Sequence, residues 1–448
     1  MHPRSSHLPL GIAASFAASF AASFTLAVPA LVTADPPPPR GDPASDVAAL
    51  RARGPAGLEA MLARYDHAAP AEREALATDV DAVAGQRYAT VSRLYWFTEL
   101  DRAEAEAHRL HRPILALRML GDLRDDLSCA NSRLFRATLY ANTEVSAFLR
   151  AHFVLYWSSA RAVPKVTIDY GDGRKLVRTT TGNSAHYVLD EDGHVLDVLP
   201  GLYAPAVFRR ELSASLALAD RVRGMSYAPR ANATMAYHTA ALAAAERDWQ
   251  RASGTYYIRG SRALPSTGDR EAVLARAMAA TTSKASIEVP DLQRIGLLRP
   301  DQVPRDEAAW GAIGQNVWEL YERGVGPGLD RVNTYSAVPP PMVLDDTSRA
   351  LIARLHNAGP VDQRATPEEL EVVLARLEQH IIADTALNQF TLRSQIHRHI
   401  TAFAATDFAE LDAWIYDEVF ATPRSDAWLG LLPRSEFTGL PGDGVVMP

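Results

Sequence analysis

Two short, uninterrupted apolar runs, Ile114-Leu115-Ala116-Leu117 and Phe153-Val154-Leu155-Tyr156-Trp157, constrain this chain more than any other feature. Four or five consecutive apolar residues leave no face for water, so each run reads as a strand covered on both sides. Helical sequence frames them. Residues 102–112 are strong helix formers opened by Asp101 and stopped by Pro113, and residues 142–150 make a second amphipathic stretch. Two hairpin signals follow. Val166 to Tyr170 turns through Gly171-Asp172-Gly173 into Lys175 to Thr179, and residues 186–190 turn through Asp192-Gly193 into 195–199. A helix over 205–223, with Phe208, Leu212, Leu216 and Ala219 on one face, closes the series.

On either side of this series the pattern is helical, so the fold class read from the sequence is α+β. Residues 46–84 carry Leu50, Leu58, Met61, Leu62 and Tyr65 at helical spacing, interrupted by Gly54-Pro55, which predicts two short helices. Beyond Tyr227 helices are expected at 235–251, 270–280, 308–322, 347–356, 367–393, 395–403 and 408–420, with a Pro-rich break at 338–341 and an extended tail from Pro433. A chain of 448 residues exceeds what one core normally serves. The expected division is a helical segment 46–92, a mixed domain 93–224 and a mainly helical region 225–448, which 326–341 could split again. No fixed-period repeat is visible.

The N-terminus reads as an export signal. Arg4 precedes an apolar run, 8–31, that ends in Val32-Thr33-Ala34, and Asp35 and four prolines open a linker over 35–45. Cleavage after Ala34 is expected; left uncleaved, the run is long enough to anchor the chain in a membrane. Either outcome places the folded part in a secreted or periplasmic location. A net charge of −7 disfavours a nucleic-acid partner, which requires a basic face. One cysteine, Cys129, excludes any intramolecular disulfide even in an oxidising compartment.

The helix before Pro113, the strand at 114–117, Cys129 three residues before Ser132, the helix carrying Glu144, Val145 and Leu149, and the run Leu189-Asp190-Glu191-Asp192-Gly193-His194-Val195-Leu196-Asp197-Val198-Leu199-Pro200-Gly201 together resemble the thioredoxin-like superfamily over 93–224. The resemblance implies a central sheet, here with one additional hairpin, and a thiol site at a helix start. There the helix dipole favours thiolate. The family pattern has a second cysteine where this chain has Ser132, and a cis-proline where Ser184, in Gly182-Asn183-Ser184, falls. Asp122, Asp125 and Asp126 in the preceding loop oppose the helix effect on the thiol.

The candidate catalytic residues are therefore Cys129 and Ser132, with Asn183 and Ser184 opposite. At most they imply monothiol or mixed-disulfide chemistry with an outside thiol or a protein partner. The alternative is a non-catalytic binding scaffold, with Cys129 kept for packing and Asn183, Ser184 and His186 as loop caps. His380, Asp384 and Asn388 share a helix face, with His397 and His399 after them, but the spacing matches no metal signature and reads as a solvated face. Trp310, Trp318 and Tyr321 read as core. No cofactor and no metal are expected.

Overall fold

The computed structural model describes residues 43–179, 183–254, 314–315, 343–359, 361, 364–420, 422 and 440. The export segment, most of the linker, the helices expected at 270–280 and 308–322 (314 and 315 apart), the aromatic stripe of Trp310, Trp318 and Tyr321, the break at 338–341 and the tail (Leu440 apart) lie outside these residues. Among the described residues no helix is long and apolar enough to cross a membrane.

Three helices, not two, occupy the start: α1 (Pro43–Ala52), α2 (Pro55–His67) and α3 (Pro70–Ala84). Each opens on a proline, whose fixed φ and missing N–H suit the first helical position, so Pro70 restarts a helix that the spacing of apolar residues had run together. Gly85 ends α3 at φ 79°, and a Cβ there would meet the Trp96 carbonyl at 2.9 Å. That close approach lets Trp157 Nε1 donate to the Gly85 carbonyl at 2.9 Å and Arg51 reach the Trp96 carbonyl at 2.8 Å, tying α1 and α3 to the sheet.

After α4 (Ala89–Ser92) and α5 (Leu100–Leu110) come β1 (Ile114–Leu120), α6 (Ala130–Leu134), α7 (Thr143–His152), β2 (Val154–Arg161), β3 (Lys165–Asp169), β4 (Lys175–Thr179), β5 (Ala185–Leu189), β6 (Val195–Pro200) and α8 (Pro205–Val222). The four-stranded sheet runs β2-β1-β5-β6; β1 and β2 are parallel, and β5 is antiparallel to both β1 and β6. Among the described residues β3 and β4 pair only with each other. Ile114, Leu115, Ala116 and Leu117 are fully buried, as the unbroken apolar run requires. Burying each large side chain of this kind contributes roughly 1.5–3 kcal/mol.

The helical region continues with α9 (Tyr227–Gly254), α10 (Asp346–His356), α11 (Pro367–Leu387), α12 (Arg393–Phe403) and α13 (Phe408–Trp414). Thr366 and Glu369 form a capping box at the start of α11. Single π-helical turns at Phe135–Leu139, Asn388–Leu392 and Ile415–Val419 extend α6, α11 and α13. A π turn leaves no sequence period, so 367–403 read as two ordinary helices. Asn388, at the second of these turns, donates to the Leu202 carbonyl at 2.7 Å, and Ala204 N–H donates to Thr385 Oγ1 at 2.7 Å. These bonds dock α11 on the link between β6 and α8. On the other sheet face, Arg118 of β1 and Tyr187 of β5 both bond to Asp412 of α13, each at 2.9 Å.

Candidate functional site

Cys129 is the N-cap of α6, at the helix start, and Ser128 lies one residue outside it. The Cys129 N–H donates to the Leu120 carbonyl at 3.1 Å, which fixes the helix start at the end of β1. Side-chain bonds do not cap α6, so the thiol and the hydroxyls turn to one another. Cys129 Sγ lies 3.1 Å from Ser184 Oγ and 3.4 Å from Ser132 Oγ. Ser132 Oγ lies 2.8 Å from the Cys129 carbonyl and 2.7 Å from Ser128 Oγ. The structure thus brings Cys129, Ser132 and Ser184 into direct contact. All three are completely buried.

Asn183 belongs to the rim instead. Its amide donates to Thr422 Oγ1 at 3.3 Å and its carbonyl accepts from Tyr416 Oη at 3.4 Å, both from the C-terminal helical region. His186, on the same face of β5 as Ser184 because strand side chains alternate, packs against Phe135 and Phe208 with ring centroids 4.6 and 4.9 Å away. Its Nε2 lies 2.7 Å from Tyr140 Oη, and its Nδ1 has no partner among the described residues. Burial lowers the His186 pKa to about 3 and pushes Tyr140 well above its usual value, so both are neutral across the physiological range.

The loop aspartates do not face the thiol. Asp122 pairs with Arg124 at 2.6 Å, Asp126 with Arg87 at 2.9 Å, and Asp125 with Lys165 at 3.6 Å. The charge beneath the thiol is a cation that sequence reasoning missed: Arg136, 2% exposed, donates to Ser128 Oγ at 3.1 Å and to the Leu123 carbonyl at 2.9 Å. Burial lowers its pKa, with Tyr88, Asp126 and Cys129 acting in the other direction. It pairs with no carboxylate among the described residues. Arg136 is four residues after Ser132, so helical spacing was the available signal.

Solvent does not reach this group. Two clefts, of about 190 Å³ beside His108, Glu191 and Arg230 and about 410 Å³ beside Asn142, Arg209 and Asp345, are both lined without Cys129. Thiol exchange requires an attacking or attacked sulfur within reach, and a fully buried Sγ meets that condition only after local opening.

No protein-family model, curated protein or solved structure matches the chain.

The face expected to be solvated is not so throughout, since Asn388 and His397 are buried. Asn388 serves the Leu202 carbonyl, and His399 stacks on Trp414 at 3.7 Å. His397 instead meets His238 of α9, with Nδ1 to Nδ1 at 2.7 Å, beside Asp197 of β6. Asp197 and Arg393 are ion-paired at 2.7 Å with both side chains buried, and Arg393 also pairs with Glu211 of α8. Burial lowers the His238 pKa to about 4 and takes His397 well below its usual value. For Asp197, burial alone would raise the pKa, but Arg393 dominates the neighbouring charges and holds the carboxylate ionised. No sequence spacing links these residues, since β6, α8, α9 and α12 each supply one or more.

Proposed function

We propose that this chain is an exported thioredoxin-like protein in which the thiol site has become structural, and that it acts as a binding scaffold rather than a disulfide reductase. The observation that carries this reading is the burial of Cys129, whose sulfur is enclosed by Ser132 and Ser184 at 0% exposure. The thioredoxin-like part draws support from the strand order β2-β1-β5-β6, from a cysteine at the start of the helix after β1, and from Ser184, just before β5, lying against the sulfur. Export draws support from the N-terminal apolar run and its small-residue end. A resolving thiol is absent from the sequence, so any disulfide at Cys129 would be intermolecular.

A monothiol role is the second reading, and Arg136 favours it, because a buried cation without a carboxylate stabilises an anion formed beside it. Alkylation of the folded protein with iodoacetamide at neutral pH separates the two. The scaffold reading expects Cys129 to react at least about 100-fold more slowly than in the urea-unfolded chain, since reaction must wait for opening. A folded-state rate equal to the unfolded one would overturn it and make Cys129 a working nucleophile.

A further inference from the structure

Asp197 of β6, His238 of α9 and His397 of α12 bring one carboxylate and two imidazoles to a single buried point, with the three donor atoms all within 4.8 Å of one another. Hydrogen bonding assigns the tautomers. His238 Nε2 lies 3.1 Å from the Leu196 carbonyl, which only an N–H can satisfy, so His238 Nδ1 carries a lone pair. The 2.7 Å contact between the two Nδ1 atoms then places the proton on His397 Nδ1. His397 Nε2 makes no hydrogen bond among the described residues.

Two of the three donors, His238 and Asp197, are oriented from behind. The bond from His238 to a backbone carbonyl is the outer contact that histidine ligands use to fix tautomer and ring direction. Asp197 Oδ2 accepts from Ser215 Oγ at 2.6 Å, Tyr237 Oη at 2.6 Å and Arg393 Nη2 at 2.7 Å, while among the described residues Oδ1 accepts only the Val198 N–H at 2.8 Å. The carboxylate is thus held rigid through one oxygen and keeps a lone pair on the other. We propose that Asp197 Oδ1, His238 Nδ1 and His397 Nδ1 form a site for a first-row divalent cation such as zinc, which clamps strand β6 to helices α9 and α12.

Arg393 is the strongest objection, since a guanidinium already accompanies Asp197. It is shared, however, with Glu211, so Asp197, Glu211 and Arg393 together carry one net negative charge; Glu211, which is not fully enclosed, also pairs with the exposed Arg210. A dication changes the sign of that charge without raising its magnitude. Two nitrogens and one oxygen suit zinc and its neighbours better than magnesium or calcium. Binding would move the His397 proton from Nδ1 to Nε2, releasing none, and would widen the Nδ1 separation to about 3.3 Å, the spacing that metal–nitrogen bonds of 2.0–2.1 Å at a tetrahedral angle impose.

The test uses the full-length protein, stripped with a chelator and dialysed against zinc or cobalt salts. One zinc per chain should survive gel filtration, cobalt should give visible d–d bands of a nitrogen and oxygen set, and zinc should raise the melting temperature. His238→Gln and His397→Gln should lose the bound zinc, whereas His380→Ala should keep it. If the glutamine variants fail to fold, zinc-edge X-ray absorption of the wild type decides, with two imidazole nitrogens at about 2.0 Å expected. Wild-type protein that retains neither metal, a folded His238→Gln variant that still holds one zinc, or an absorption spectrum without imidazole scattering would each overturn the site.

Discussion

Ser132 has one hydroxyl proton and three neighbours within hydrogen-bonding reach, the Cys129 carbonyl, Ser128 Oγ and the thiol. It can donate to only one at a time, so the cluster is a chain of shared contacts in which sulfur supplies the weakest link. Cys129→Ser should therefore keep the fold within about 1 kcal/mol, whereas Cys129→Ala leaves Ser184 Oγ without its partner in a buried place and should cost about 1–3 kcal/mol. Urea unfolding of the two variants checks the order. His186 gives a pH signature of its own. Its folded pKa of about 3 lies below the unfolded value near 6.5, so in between only the unfolded chain takes up the proton, and stability falls as pH falls through that window. The slope from one such group is at most about 1.4 kcal/mol per pH unit. His186→Phe should remove one proton's worth of slope between pH 6.5 and 3, measured as the difference in unfolding free energy against wild type. Unchanged slopes would show that the ring is already exposed to water.

Turn and cap chemistry set the elements, and two glycines separate backbone strain from packing. Gly201 at φ 75° sits where a Cβ would come within 2.5 Å of the Asn388 side chain, while Gly171 at φ 76° has nothing within 4 Å. Gly171→Ala meets only the left-handed penalty of about 1–2 kcal/mol. Gly201→Ala should cost at least about 1 kcal/mol more, because Asn388 would have to abandon the Leu202 carbonyl. Thermal melts of the two variants compare them directly. At the same scale, Asn142 caps α7 through the Val145 N–H at 3.0 Å, so Asn142→Ala should cost about 1 kcal/mol. The strands and most helices were legible, since unbroken apolar runs, Gly-containing turns and prolines act through near neighbours. The π turns and the capping of α6 by Cys129 were not, because neither alters the spacing of apolar residues.

Across the whole molecule, the ion cluster of Asp197, Arg393 and Glu211 joins the sheet to the helices that follow it. Arg393→Leu would strand two carboxylates in the interior, and the loss should be about 3–5 kcal/mol, far more than a surface pair would show. Hydrogen exchange should report it first as lost protection in α9 and α12. An exchange pattern equal to wild type would mean that the cluster does not couple the two regions. Sequence alone determined that strands flank a cysteine-bearing helix, that two hairpins follow, and that no intramolecular disulfide can form, since each rests on adjacent residues or on a count. Tertiary structure alone decided the rest. Burial of Cys129, the pairing of Asp126 with Arg87 and of Asp125 with Lys165, and the meeting of His238 with His397 depend on distances between elements far apart in the chain. Desolvation and charge pairing act through those distances, which the spacing of residues along one helix or strand does not encode.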